Sequence, residues 1–297
     1  MDAILSAILS ILEEGFAYAV LALGVYITYK ILDFPDLSVD GTFPLGGAVT
    51  AVLIKAGVNP LITLPVSFLA GALAGMLTGI IHVKFKVRDL LSGIIMMTAL
   101  YSVNLRIAGA NLPIFSKETI FENSFLDKVV PEAFRPFLSV TILFLIVILM
   151  KLLLDIYLKT KSGYLLRAVG DNDTLVTSLA KDKGFVKIIG LSIANAFVGL
   201  AGSVQCQNNG VFEISNGTGS VVFGLASVII GVNLLKMVSF IKATTAVILG
   251  SVLYKACVYI AIAMGLVPQD MKLVTSVLFL AILILSNERR RKVRANA

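Results

Sequence analysis

The chain has 297 residues, of which 58% are hydrophobic and 14% charged, and its net charge is +7. Soluble domains run nearer ~45–50% apolar and ~25% charged, so a soluble globule is excluded and an all-α, polytopic membrane protein is expected. A span takes ~20 apolar residues, so the length leaves no room for a folded catalytic domain beside the spans.

Tryptophan is absent, which leaves the 8 Tyr and 17 Phe to form any interfacial belt. Cys206 and Cys257 lie in or beside apolar runs and have neither metal-site nor disulfide spacing. His82 is the only histidine, so no histidine metal cluster is possible and no metal site is expected. Met1-Asp2-Ala3 is not followed by a basic n-region, and the N-terminus reads as uncleaved.

In chain order, apolar runs predict spans at about 14–32, 42–57, 60–82, 90–108, 138–157, 185–204, 217–235, 239–264 and 271–286, about nine in all. Residues 3–12 are apolar too, and either lie along the interface or extend the first span. The runs at 42–57 and 217–235 are barely long enough to cross. Placing 84–89, 157–187, 236–242 and 286–297 on one side gathers most of the 25 Lys and Arg there. The positive-inside rule makes that side cytoplasmic, with the N-terminus outside and the C-terminus inside. The basic residues hug span ends, where they face anionic lipid, so membrane lipid is the expected partner and nucleic acid is not.

Two polar breaks interrupt the apolar pattern, one at 33–44 and one at 205–218. Aligning Asp40-Gly41-Thr42 on Asn216-Gly217-Thr218 also places Val52-Leu53-Ile54 on Val228-Ile229-Ile230. An odd number of spans separates the two copies, so they enter the membrane from opposite sides. Interrupted helices at matching positions of an inverted repeat mark a transport pathway between the halves. Two ordinary capped helix starts are the plainer reading. The expected layout is a single transmembrane domain: repeat A over about 14–108, a linking span at 138–157, a loop at 158–187, and repeat B over about 185–286.

Ser67, Gly71, Gly75 and Gly79 recur every four residues in the third span. They form a face on which another backbone can pack closely. Lys255 lies inside the eighth span, where an unpaired cation costs on the order of 3 kcal/mol. It is expected either to serve the pathway or a partner, or to snorkel or pair structurally. Glu13, Glu14 and Arg106 sit at span edges and read as interface residues, and His82 belongs to the basic rim beside Lys84 and Lys86. No series of buried carboxylates suited to a proton or sodium relay is visible.

The loop from Lys159 to Lys187 is the most specific feature. A short helix over Gly163–Val169 is expected to end at Gly170. A second, capped by Asp171 or Asn172, presents Leu175, Val176 and Leu179. The apolar face of this pair suggests a docked cytoplasmic partner.

This loop resembles the coupling loop of ABC importer permeases of the branched-chain amino acid and ribose type, whose pattern runs Thr-x-x-Gly-x-x-Leu-Arg-Ala-x-Gly-x-Asn. Thr160, Gly163, Leu166, Arg167, Ala168, Gly170 and Asn172 match it in place. Tyr18-Ala19-Val20-Leu21-Ala22-Leu23-Gly24 is similar to the family's first span. The break Phe34-Pro35-Asp36-Leu37-Ser38-Val39-Asp40-Gly41-Thr42-Phe43-Pro44-Leu45-Gly46 is similar to one branch, associated with uptake of tryptophan or other aromatic amino acids. The histidine that branched-chain members carry at the first break is missing here.

The resemblance implies a permease subunit in a bacterial plasma membrane, a second permease copy as a homodimer partner, an ATP-binding cassette ATPase and an extracytoplasmic solute-binding protein. Gly163, Leu166, Arg167, Ala168, Val169, Gly170, Asn172 and Leu175 would couple to the ATPase. Asp40, Gly41, Thr42, Asn216, Gly217 and Thr218 would start half-helices beside the pathway. No Gly-x-x-x-x-Gly-Lys-Ser/Thr phosphate loop occurs in the chain, so ATP and Mg would bind the partner, and the permease itself is expected to be no enzyme and to hold no cofactor. The outer loop at 109–137, with Pro113, Pro131 and Pro136, is long enough to help dock the binding protein. An ion-coupled secondary transporter with an inverted repeat is the alternative. An importer of tryptophan is needed most when tryptophan is scarce, and a chain lacking that residue can still be made then.

Overall fold

The computed structural model describes residues 2–115, 117–123, 130–131, 134–171, 182–234 and 242–265, and near the C-terminus 273–277, 279–281 and 283–284. Nine α-helices and one short ribbon are delimited: α1 (Asp2–Tyr26), α2 (Val39–Lys55), α3 (Pro60–Lys84), α4 (Asp89–Ala108), β1 (Asn111–Pro113), α5 (Arg135–Tyr157), α6 (Lys161–Asp171), α7 (Lys183–Asn209), β2 (Val211–Glu213), α8 (Ser220–Leu234) and α9 (Ala243–Ala263). Residues 273–277, 279–281 and 283–284 are also helical.

Among the described residues, seven helices are long and apolar enough to cross a membrane. The chain is a polytopic, all-α membrane protein. The count differs from nine for two reasons. The segment expected at 42–57 becomes α2, whose 17 residues span about 25 Å at 1.5 Å per residue, short of a full crossing. The segment expected at 271–286 falls partly outside the described residues. Residues 3–12 extend the first span, since α1 runs unbroken from Asp2. It then loosens into a π turn, Ile27–Ile31.

Helix α7 is the hub. Every residue from Ala194 to Gln207 is buried, and its small residues let neighbours approach on several sides. The four-residue stripe of α3 packs here. A Cβ on Gly79 would stand 2.8 Å from the Ile188 Cα, and Cβ atoms on Gly71 and Gly75 would collide with the carbonyls of Asn195 and Leu191. Lipid tails are as apolar as leucine, so helices in a bilayer associate through such close backbone contact and through hydrogen bonds rather than hydrophobic burial. Hydroxyls stitch the same region. Thr50 donates to Ser203 at 2.6 Å and lies 2.9 Å from the Ser67 hydroxyl, which donates to the Gly46 carbonyl at 3.0 Å.

One end of the bundle carries the antiparallel ribbon, with Asn111 opposite Glu213 and Pro113 opposite Val211. The loop after β1 folds inward there. Ile114, Ile120 and Phe121 are buried, and the Ile120 N–H donates to Gln207 Oε1 at 3.0 Å. Part of the expected docking loop at 109–137 is therefore fixed to the bundle. Helix α6 lies at the other end.

Candidate translocation site and coupling surface

The first break leaves the π turn through Asp33, whose φ is +51°. It then enters a buried polar cluster. Asp36 accepts from the Ser38 N–H at 2.9 Å and from Asn195 Nδ2 at 2.8 Å, while the Ser38 hydroxyl donates to Asn195 Oδ1 at 3.3 Å. Asn195 lies about 18 Å along α7, at 1.5 Å per residue from Lys183. Helix α2 therefore starts near the middle of the bundle rather than at its surface.

Asp40 stands in the first turn of α2, but its carboxylate serves another helix. It accepts from the Gly219 N–H at 3.0 Å, the Ser220 hydroxyl at 2.9 Å and the Val221 N–H at 2.8 Å. These groups open α8, and the first N–H groups of a helix have no partner within it. An ionised acceptor there is favoured by both hydrogen bonding and the helix dipole. The approach is close: a Cβ on Gly217 would collide with the Asp40 carbonyl, and Gly219 turns the chain at φ +89°. Gly41 is packed on α4, where Asn104 Nδ2 donates to its carbonyl at 3.0 Å. Thr42 is buried, and its hydroxyl donates to the Ser38 carbonyl at 3.0 Å. Asn216 and Gly217 lie in a 3₁₀ turn, Ile214–Gly217, just before Thr218. The two breaks at which half-helix starts were expected thus meet each other.

A cavity lies on either side of this meeting point. One, of about 370 Å³, is lined by Asp40, Gly41, Thr98, Tyr101, Asn104 and Thr218 among others. The second, of about 360 Å³, is lined by Tyr18, Asn216, Thr218, Ser220, Phe223 and Lys255 among others. Thr218 belongs to both. Lys255 in the second cavity is paired with Glu14, Nζ to Oε2 at 2.9 Å. Its Nζ also stands 4.0 Å from the Tyr18 ring centroid and 5.2 Å from that of Phe223. Glu14 is thus more than the interface residue its position suggested. An intramembrane lysine in this setting is stabilised by charge pairing and by the ring faces.

Helix α6 is amphipathic. Gly163, Leu166 and Val169 are buried, Leu165, Ala168 and Gly170 are half-buried, and Tyr164 and Arg167 are exposed. The buried face rests on the end of α1 and on α7. The Leu166 Cδ1 and the methyls of Leu32 both face Gly190, and a Cβ on Gly170 would collide with the Ile31 carbonyl. The helix runs through Gly170 to Asp171 rather than ending at Gly170, and Gly170 serves that close contact. Asn172 and Leu175, and with them the expected second helix of the loop, lie outside the described residues. His82, in the last turn of α3 near the rim where it was expected, donates from Nδ1–H to the Val87 carbonyl at 2.8 Å. Among the described residues no three His, Cys, Asp or Glu side chains gather as a metal ion would need.

Residues 7–286 match the family model described as branched-chain amino acid transport system, permease component. The chain belongs to this permease family. It is 41% identical over 294 residues to a tyrosine transport system permease protein of Clostridioides difficile, covering 99% of this chain and 96% of that one. A probable branched-chain amino acid transport permease of Methanocaldococcus jannaschii is 29% identical over 209 residues, 65% of each chain. A ribose import permease of Escherichia coli is 25% identical over 228 residues, 75% of this chain and 68% of that one. No solved structure matches the chain. As a member of this ABC permease family the chain is a non-enzymatic membrane component, and such permeases work with a separate ATPase and a substrate-binding partner.

Reading the residues missed Glu14, Tyr18 and Phe223 around Lys255, and the pairing of Asp36 with Asn195. Each joins segments far apart in the chain, and no local spacing signals it. Phe223 and Tyr18 sit in runs where an aromatic residue looks like any other apolar one.

Proposed function

We propose that the chain is the membrane subunit of an ATP-driven importer of an aromatic amino acid, with tyrosine the first candidate. Two copies form the pore, each docks one ATPase through α6, and an extracytoplasmic binding protein delivers the solute at the ribbon end. That end is outside and the α6 end is cytoplasmic in a bacterial plasma membrane, as the distribution of Lys and Arg implies. The observation that carries the substrate is the match, from end to end, to a permease named for tyrosine transport. The ion-coupled alternative is not favoured, because the family works with an ATPase.

The packing supports the inverted repeat. Exchanging α1 with α7, α2 with α8 and α3 with α9 turns three of the larger contacts into three others. Helix α3 packs on α7 as α9 packs on α1, α2 on α7 as α8 on α1, and α3 on α2 as α9 on α8. On this reading the two starts joined by Asp40 are equivalent half-helices, and the pathway runs between the halves.

A contact series offers a route for coupling. Helix α6 touches Ile31 and Leu32, these lead into the Asp36–Ser38–Asn195 cluster, and two residues later Asp40 holds the start of α8. Movement of α6 by a closing ATPase would reach both half-helix starts. The test is copurification. The tagged chain, solubilised from its native membrane, should bring down a phosphate-loop ATPase identifiable by mass spectrometry. A chain reproducibly pure of any ATPase contradicts the reading.

A further inference from the structure

We propose that the cavity between α1, α8 and α9 is a transient binding site for the zwitterionic head and aromatic ring of an amino acid. The proposal rests on the aromatic amino acid import argued above and assigns it a place and a set of contacts.

The cavity combines three features that rarely meet inside a membrane. The first is Lys255, which lines the cavity and is paired at 2.9 Å with Glu14 just behind the lining. A zwitterion brings one charge of each sign. Its carboxylate can take Lys255 and its ammonium Glu14, so four charges pair and the net charge of the site does not change. This matters at low dielectric, where an uncompensated charge is costly and a fully paired one is tolerated. Glu14 is not fully buried, its side chain being 40% exposed.

The second feature is the aromatic wall. Tyr18 and Phe223 have ring centroids 4.7 Å apart, and Phe223 meets Tyr254 edge to face at 5.0 Å. Tyr18 also stacks with Phe43 of α2 at 5.6 Å. When the ligand carboxylate draws Lys255 aside, the ring face of Tyr18 that the ammonium covered, 4.0 Å away, becomes available. A substrate ring can then stack where the cation stood. Amino acids without a ring gain nothing from this exchange.

The third feature is size and placement. The volume of about 360 Å³ falls in the range of roughly 300–1,000 Å³ usual for small-molecule sites. Thr218 and Ser220, on the cavity rim, belong to the segment that Asp40 holds. Loosening that segment reshapes the site, which suits a contact that must release as readily as it binds.

The absence of tryptophan from the chain makes the site directly observable. Phe223→Trp, or Val222→Trp as a second reporter, places the only indole of the protein at the cavity. With purified full-length protein excited where only indole absorbs, L-tyrosine should give a saturable change in emission. Tyrosinamide, which lacks the carboxylate, and N-acetyltyrosine, which lacks the ammonium, should each need at least about tenfold higher concentration, the loss of one charge contact. L-Leucine should be similarly weak. Lys255→Met in either reporter should abolish the response to L-tyrosine. An importer that accumulates L-tyrosine normally while neither reporter responds overturns the site and leaves the transport function standing. A response equal for tyrosine, its amide and its N-acetyl form also overturns it, because the charge exchange is then not what binds. If the wild-type importer moves no aromatic amino acid, the inference falls together with the function it rests on.

Discussion

The carboxylate of Asp40 accepts the backbone N–H of Val221 at 2.8 Å across 181 residues of chain. One side chain in the first turn of α2 therefore completes the start of α8. Removing it leaves the first N–H groups of α8 without their acceptor. Asp40→Ala should lower thermal stability by about 2 kcal/mol, the upper end for an N-cap, and should reduce uptake by more than about tenfold because the start of α8 is no longer positioned. Asp40→Glu should recover part of both. Thermal unfolding of purified protein and whole-cell uptake read the two effects. An Asp40→Ala protein with unchanged stability and uptake would contradict the capping of α8 by Asp40.

Arg167 is exposed on α6 while Leu166 beside it is buried. Arg167→Glu should leave insertion, yield and melting behaviour intact, within about 0.5 kcal/mol for an exposed site, and should reduce solute uptake severely. Gly170→Ala should act differently. Its new methyl meets the Ile31 carbonyl, so it should destabilise by about 1–3 kcal/mol as well as impair uptake. Equal thermal profiles for the two variants would count against the docked position of α6.

Asp36 and Asn195 test the buried cluster. Asn195→Leu leaves the buried Asp36 carboxyl without its 2.8 Å partner and should cost about 1–3 kcal/mol, as for a buried polar group left unsatisfied. Changing both residues, Asp36→Leu with Asn195→Leu, should be milder than the sum of the single changes. Strict additivity in a double-mutant cycle would show that the two do not interact.

The α3–α7 contact should be intolerant of any side chain. Gly75→Ala forces a methyl against the Leu191 carbonyl and should cost about 1–3 kcal/mol. Leu73→Ala nearby, 57% exposed and facing outward, should cost far less. Melting temperatures of the two variants in the same detergent give the comparison.

What could be read from residues alone follows a physical division. The amphipathic loop helix, the Gly-Thr openings and the small-residue stripe of α3 are local patterns. Each depends on helical spacing or on a cap one or two residues away, and the structure has a helix or helix start near each, with shifted ends: α2 opens at Val39, α8 at Ser220, and α6 runs on to Asp171. The partner of every such pattern is not local. Asp40 was expected beside a half-helix start, but the start it caps is that of α8, because the other copy of the break folds against it. Glu14 looked interfacial because its mate, Lys255, arrives only when α1 and α9 pack together. The number of spans also blurred, since α2 is apolar enough for a span yet too short, and only packing against α7 shows where it begins.

The central claim is that ATP hydrolysis on a partner, transmitted through α6, drives import of an aromatic amino acid. Uptake of labelled L-tyrosine by proteoliposomes containing the permease, its ATPase and its binding protein tests it most directly. The account predicts accumulation that requires ATP, is unaffected by collapsing ion gradients, and is lost with Arg167→Glu. Accumulation that proceeds without ATP, or that the Arg167→Glu protein supports at the wild-type rate, would contradict it.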